Sequence, residues 1–551
     1  MKKQLSMLAI LVGASLNAQA AQSSFFTIVD DEVKGYASGI STDGSGLIGI
    51  NTKNNMAEYF STVRSADFLV DRFRFEQGCF LSRSVCDSFW DENPGFAYQW
   101  RVDFLKGDEQ RSNTGYVVSS EVDGLVTALG DAPTDRAGYK MDGKLRTAFA
   151  IVNDGNPVEL KDAAGTHSLS VPTSIKKLDN GQYLVTGTAA SGKYRHNVGG
   201  DFYNKCFAGN DDEYGEFRYC PGLDTQASFW LLNGSGGFNK LIQAPDYGRQ
   251  RDEVLQTASA FGAATFNGTL YGVGYSSTGE VGSGDLDGRN LASYWTLDLD
   301  AGTVGATKII PLPDGEPGIE IDKTQRLQHS WAVGINQNGY VVGNQSWATN
   351  KGQNRPTEMF LFNLNNPGTA ASIPLQDKPL SGSGSEGAAI NDHNMVVGWR
   401  DSRHQTQPVA NGTNRMQEAF LLNAASPSNN WYLNDLICGL DDAGAKQCAQ
   451  NGKYYHIAYA SGISSDGTIA ATAYRYNSES DLNLRTNATV VAVKLTPAVA
   501  DYQGNTPANY VVSNAPVNNQ TGQDGEDGGG GSLFWLTLLA LPFAWLRRYQ
   551  R

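Results

Sequence analysis

One phrase recurs seven times along this chain: an apolar segment, a tight polar or glycine turn, and a second apolar segment. It reads YASGISTDGSGLIGIN at Tyr36 to Asn51, YVVSSEVDGLVTALG at Tyr116 to Gly130, TSIKKLDNGQYLVTG at Thr173 to Gly187 and SAFGAATFNGTLYGVG at Ser259 to Gly274. The later copies are WAVGINQNGYVVGN at Trp331 to Asn344, GAAINDHNMVVGW at Gly387 to Trp399 and YASGISSDGTIAATAY at Tyr459 to Tyr474. Asp-Gly and Asn-Gly between β-prone runs predict hairpins, because these residues accept the positive φ of a tight turn. After a variable polar insertion each copy gains a third apolar segment: GFAYQW, RTAFAIV, QASFWLL, LASYWTL, TEMFLFNL, QEAFLLN and NATVVAVKL. Several add a short fourth, namely PVEL, NKLIQ, TKIIPL, ASIPL or WYLNDL. One repeat is therefore about four short strands.

Seven four-stranded repeats predict an all-β chain folded as a β-propeller-like ring, an architecture that leaves only short, protected strand edges. A ring of six or eight blades, or two packed β domains, are the alternatives. The turn positions Gly44, Gly124, Gly181, Gly268, Gly339, Asn394 and Gly467 are unevenly spaced, from 55 residues between Gly339 and Asn394 to 87 between Gly181 and Gly268. That argues against a solenoid of fixed coils and for blades with insertions. No long stretch carries a helical period with caps, so an α/β sheet with crossover helices is disfavoured. The last repeat stops at VVAVKL without a fourth segment, while SFFTIVDD precedes the first. Pairing the two would seal the ring and satisfy both edges. SGSGSEG, Ser381 to Gly387, reads as a flexible linker between blades.

The chain has 551 residues, 62 of them Gly, with 18% charged residues and a formal net charge of -14. An acidic body without an internal Lys/Arg-rich run disfavours nucleic-acid binding. Residues 1–20 read as a secretory signal peptide: Lys2 and Lys3, an apolar run from Leu8 to Leu16, and Ala18-Gln19-Ala20 as a cleavage site for signal peptidase after Ala20. Residues 21–500 hold the repeats and 501–531 a polar, Gly-rich linker. Residues 532–551 carry an apolar run, Leu533 to Leu546, followed by Arg547, Arg548 and Arg551. As a helix that run spans about 21 Å, short of the roughly 30 Å hydrocarbon core, which suits a transient inner-membrane anchor with its arginines in the cytoplasm.

The order of Gly528, Gly529, Gly530, Gly531 and Ser532, then the apolar run, then the arginines, resembles the Gly-Gly carboxy-terminal sorting signal of Gram-negative bacteria. The resemblance implies cleavage near the glycines by a rhombosortase-type intramembrane protease and export by type II secretion to the cell surface or beyond. The repeats resemble the bacterial extracellular repeats named for a His-Ala-Phe signature, whose pattern is Ala-x-Gly-Ile-Asn-x-x-Gly-x-Val-Val-Gly followed by Ala-Phe-Leu. The match is best at Ala332 to Gly343 and Ala419 to Leu421 and degenerates in the second and fourth copies. Together these features resemble an uncharacterised family of exported gammaproteobacterial proteins. That resemblance implies a location and an architecture, and no activity. Cysteine usage agrees with export: Cys79 with Cys86, Cys206 with Cys220 and Cys438 with Cys448 form close pairs without Cys-x-x-Cys spacing, and three local disulfides are the simplest of fifteen connectivities.

Chemistry is sparse. GSGLIG, Gly44 to Gly49, matches G-x-G-x-x-G formally, but a strand follows it where a dinucleotide site needs a helix. There is no G-x-x-x-x-G-K-[ST], H-E-x-x-H or G-x-S-x-G. The histidines His167, His196, His329, His393, His404 and His456 share no metal-ligand spacing, and Asp392 with His393 reads as turn chemistry. Asp285 and Asp287, in a Gly-flanked loop, are weak calcium candidates, as are Asp211, Asp212 and Glu213. Neither loop completes an EF-hand pattern. No catalytic residue and no cofactor is assigned. The expectation is a non-catalytic surface or secreted propeller, binding an unidentified surface ligand through Tyr/Trp-rich insertions. The alternative is an extracellular hydrolase or lyase for polysaccharide or another polymer, with carboxylates converging at the ring centre.

Overall fold

The structure is a computed structural model that describes residues 23–31, 35–51, 115–116, 125–142, 145–163, 170–191, 209–210, 213–214, 224–245, 257–277, 290–313, 327–347, 351, 356–376, 382–404 and 416–498. Seven antiparallel sheets follow one another along the chain, and each is a blade. Blade one holds Gly35–Ile40, Leu47–Asn51 and Gly115–Tyr116. Blade two holds Leu125–Leu129, Arg136–Asp142, Leu145–Ile151 and Val158–Leu160. Blade three holds Ser170–Lys177, Tyr183–Ala190, Thr225–Leu232 and Phe238–Gln243. Blade four holds Ala258–Phe266, Thr269–Ser277 and Asn290–Asp298, edged by Thr303–Val304 and Lys308–Ile309. Blade five holds Leu327–Ile335, Tyr340–Trp347 and Thr357–Asn363, with a bridge from Leu361 to Ser372. Blade six holds Ser385–Ile390, Met395–Asp401, Gln417–Asn423 and Asn430–Tyr432. Blade seven holds Tyr454–Ile463, Ile469–Tyr476 and Thr489–Pro497. Its fourth strand comes from the other end of the chain: Phe26–Val29 pairs antiparallel with Thr489–Pro497, Phe26 opposite Pro497. Phe26 and Ile28 point inward and are buried, while Val29 is exposed, the alternation of an edge strand with one covered face.

Apolar side chains fill each of the seven seams. Ile48 packs with Phe149 and Ile151 between blades one and two, and Ala137 with Val185 and Trp230 between two and three. Phe229 and Trp295 meet edge to face at 6.2 Å between three and four. Val273 lies with Val341 and Phe360, Val342 and Met359 with Val396 and Phe420, and Val397 and Leu421 with Ile457 and Val491. The seventh seam joins last to first, Ala37 against Ala470 and Ala492. The ring is closed both by pairing and by packing, and each large buried side chain in it contributes about 1.5–3 kcal/mol.

The first strands of the blades form the hub, and every one of them is bulged. Ser38, Thr127, Thr173, Phe261, Val333, Ala388 and Ser461 are skipped in the register with the second strand. This explains the x of Ala-x-Gly: the bulged residue leaves the ladder and increases the local twist. The kink also drives a first-strand carbonyl toward the second strand, where only Gly fits. A Cβ on Gly398 would lie 1.9 Å from the Glu386 carbonyl oxygen, and one on Gly274 the same distance from that of Ser259. The last Gly of Val-Val-Gly is thus a consequence of the bulge.

Six of the seven expected turn positions, Gly44, Gly181, Gly268, Gly339, Asn394 and Gly467, have positive φ. The second copy is offset. Gly124 lies outside the described residues. Leu125–Leu129, expected as a second strand, is the first strand of blade two and turns at 130–135 into Arg136–Asp142. Tyr116, expected to open that copy, ends blade one beside Gly49. The offset arose because Asp-Gly lies between two β-prone runs that belong to different blades. GFAYQW lies outside the described residues. SGSGSEG is no linker: from Ser385 it is the first strand of blade six, and the buried Ser385 hydroxyl accepts from Met359 N–H at 3.1 Å. WYLNDL is a strand only through Tyr432, then a single helical turn, Leu433–Leu436, whose leucines insert into the seam.

Candidate functional site at the rim of blade six

The hub turns of blades five, six, seven, one and two bond each to the next. Asn336 caps its own turn, its Oδ1 accepting from Asn338 N–H at 3.1 Å and Tyr340 N–H at 3.0 Å. Its Nδ2 donates to the Asn391 carbonyl at 3.0 Å, and Asn391 Nδ2 in turn donates to the Ser464 carbonyl at 3.1 Å. Ser465 N–H reaches the Thr42 carbonyl at 2.8 Å and Thr42 N–H the Gly130 carbonyl at 2.9 Å. Asp392 and His393 belong to this lattice: Asp392 Oδ1 accepts from Gln337 N–H at 3.0 Å, and His393 N–H donates to Asn391 Oδ1 at 3.1 Å. Gly44, of the formal dinucleotide pattern, is likewise a turn residue running into Leu47–Asn51. The Asp43 carboxylate lies among Ser41, Ser45 and backbone N–H groups; burial opposes its charge, but these hydrogen bonds hold it below its ordinary range. The hub turns use their carboxylates to fix backbone.

Charge gathers elsewhere, on the outer strands of blade six where they meet blade seven. Arg403 follows the second strand and grips Asp435, of the helical turn, with both Nη atoms, Nη2 to Oδ1 at 2.9 Å. Arg403 also lies 3.5 Å from Glu418, and Lys446 Nζ donates to Asp435 Oδ1 at 3.1 Å. Glu418, 1% exposed, accepts from the Ser402 hydroxyl at 2.6 Å and Asn434 Nδ2 at 3.1 Å. Burial alone would raise the Glu418 carboxyl; the Arg403 charge, His456 and the Ser402 hydroxyl overcome it and hold the group low. Burial works against the charge on Arg403 too, and the Asp435 hydrogen bond outweighs it and raises that guanidinium. His456, whose Nε2 lies 2.7 Å from the Gln417 carbonyl, is pushed down to about 4 by burial. Burial likewise lowers His404. Arg400 stands 3.7 Å over the Tyr432 ring and Arg403 4.3 Å from the same ring. The excursion that carries Lys446 is stapled beside the cluster by the disulfide Cys438–Cys448.

Such an arrangement holds and orients charge. Glu358 stands at the equivalent position of blade five, buried and fully engaged by Lys351 at 2.6 Å, Trp347 Nε1 at 2.7 Å and Gln345 at 3.1 Å. Sequence reasoning missed Arg400, Arg403, Glu418 and Asp435. The signal was present in Trp399-Arg400-Asp401 and Gln417-Glu418-Ala419, where charges sit inside apolar strands and must therefore be paired or used. Of the expected disulfides, Cys438–Cys448 is formed; Cys79, Cys86, Cys206 and Cys220 lie outside the described residues. So do Asp285, Asp287, Asp211 and Asp212, and the processing positions Ala20, Gly528, Gly529, Gly530, Gly531 and Ser532. Among the described residues no group of His, Cys, Asp or Glu is arranged to hold a metal ion, and no helix is long and apolar enough to cross a membrane.

Among solved structures, the β-propeller domain of the Trilobed protease from Pyrococcus furiosus is 7% identical, with 67% of this chain and 86% of that one covered at a TM-score of 0.31. A protein of unknown function from Dyadobacter fermentans is 11% identical over 66% of this chain and 91% of its own, at 0.31. An endo-arabinase from Bacteroides thetaiotaomicron is 8% identical over 52% and 88%, at 0.26. No curated protein matches the chain. Residues 148–549, from the third strand of blade two onward, match the family described as "Protein of unknown function (DUF3466)", and the chain belongs to that family.

Proposed function

We propose that this propeller is an exported binding or structural module of the bacterial surface or its surroundings, and not an enzyme. The observation that carries the reading is the state of its carboxylates. Glu358, Glu418 and Asp435 are tied to cations, and Asp43, Asp441 and Asp466 to turn hydroxyls and amides. A hydrolase or lyase needs an acid and a base facing one open space. The skipped hub residues, three hydroxyl and no carboxyl side chains among Ser38, Thr127 and Thr173 and none ionisable among Phe261, Val333, Ala388 and Ser461, supply neither.

Export follows the sequence signals: removal of the leader after Ala20 by signal peptidase, a transient inner-membrane tether, cleavage near Gly528 to Ser532 by a rhombosortase-type protease, and type II secretion. The family match runs to residue 549 and so spans the tail. Two measurements test the reading. The intact mass of the exported form should place its last residue between Gly528 and Ser532; a terminus at Arg551 would refute the sorting step. Incubated with neutral and acidic polysaccharides, the protein should release neither reducing ends nor unsaturated products, and time-dependent release of either would make it an enzyme.

A further inference from the structure

We propose that the rim of blade six holds a carboxylate group of a ligand, gripped by the Arg400 guanidinium beside the Tyr432 ring. The inference rests on the reading of the protein as a binding module and names the chemistry of one ligand.

Arg400 is only 5% exposed, yet among the described residues no carboxylate lies within 4.0 Å of its guanidinium. Its one hydrogen bond is Nη1 to Asn430 Oδ1 at 3.2 Å, a neutral amide, and its Nε is buried without a partner. The Nε of Arg136 and of Arg403 also lacks a hydrogen bond, and Arg485 likewise has no carboxylate at ion-pair distance among the described residues, but it is more exposed than Arg400; three other covered arginines each have such a carboxylate. Arg136 has Asp154, Arg403 has Asp435 and Glu418, and Arg475 has Asp30 at 2.9 Å. Glu418 stands opposite Arg400 in the strand register, but its oxygens already serve Ser402, Asn434 and Arg403.

Arg400 and Arg403 flank the Tyr432 ring, with Glu418 and Asp435 as the acids that act on both, and burial lowers both nearby histidines. Burial pulls the Arg400 guanidinium below its ordinary value, and Tyr432, Glu418 and Asp435 offset this only in part. A buried cation with no contacting carboxylate is among the more costly features a fold can carry, and an apolar side chain of similar volume would serve packing better. Its unused N–H edge has the planar spacing that a carboxylate takes bidentately.

The test is thermal unfolding of the full chain at constant ionic strength, with sodium chloride replaced stepwise by sodium glucuronate, N-acetylaspartate or sulfate. A rise in Tm with glucuronate, N-acetylaspartate or both supports the carboxylate site, and the pattern tells a sugar acid from a peptide acid. Arg400→Met should unfold no earlier than wild type in chloride and lose the shift, while Arg400→Lys should need at least tenfold more ligand for the same shift. Arg136→Met, which removes a paired arginine from another blade, should keep it. A response to sulfate alone, no response beyond chloride, or an undiminished shift in Arg400→Met or Arg400→Lys would overturn the proposal. None of these failures bears on the polysaccharide and mass measurements that test the binding-module reading.

Discussion

The hub and the rim of blade six are built on opposite plans. At the hub one solution recurs: a bulged first strand in all seven blades, a tight turn in six of them, and small residues where backbones approach. At the rim of blade six, arginines, carboxylates and histidines are packed against a helical turn and a disulfide-stapled excursion, a set not repeated among the described residues. Repetition marks what the ring requires of every blade. The unrepeated charges mark what one blade does in addition, and they are held by strong pairwise forces where the hub relies on close fit.

That contrast can be broken at several points. The largest effect is expected at the rim: Asp435→Ala leaves Arg403 facing one carboxylate where it had two and strands Lys446, a loss of about 3–5 kcal/mol in a denaturant titration. A loss below 1 kcal/mol would mean that solvent already screens the pair. Next comes acid. His456 has a folded value of about 4 against an ordinary 6.5, so the unfolded chain binds the extra proton first. Stability is complete above pH 6.5 and falls as pH drops from 6.5 toward 4, by at most about 3 kcal/mol. His456→Gln should flatten that part of the pH profile, and an unchanged slope would remove His456 as its cause. Smallest is the hub change Gly398→Ala, which must displace the Glu386 carbonyl and should cost about 1–3 kcal/mol with no change in the acid profile.

The hub was legible from sequence because its causes are local. Positive φ selects Gly or Asn, period-two alternation marks strands, and a missing fourth strand at one end matched a spare strand at the other. The second copy was misread where local evidence was ambiguous: Asp123-Gly124 separates two apolar runs as a hairpin turn does, and only the sheet pairing assigns Tyr116 and Leu125 to different blades. The rim was hidden for another reason. Arg400, Glu418, Asp435 and His456 lie far apart in the chain, and nothing in their individual neighbourhoods tells which carboxylate answers which arginine. Charge inside an apolar strand signals that a partner exists, while the partner's identity is a property of the closed ring.

The pairing of Phe26–Val29 with Thr489–Pro497 has a consequence in time. Among the described strands, the one that locks the ring is the first in chain order and its neighbour is the last. Throughout synthesis the closing strand waits with its apolar residues uncovered, and the seam between blades one and seven forms only at the end. Contacts this remote in sequence are slow to form. A chain stalled before residue 489 therefore has six blades able to pack and one open edge ready to pair with whatever strand it meets first.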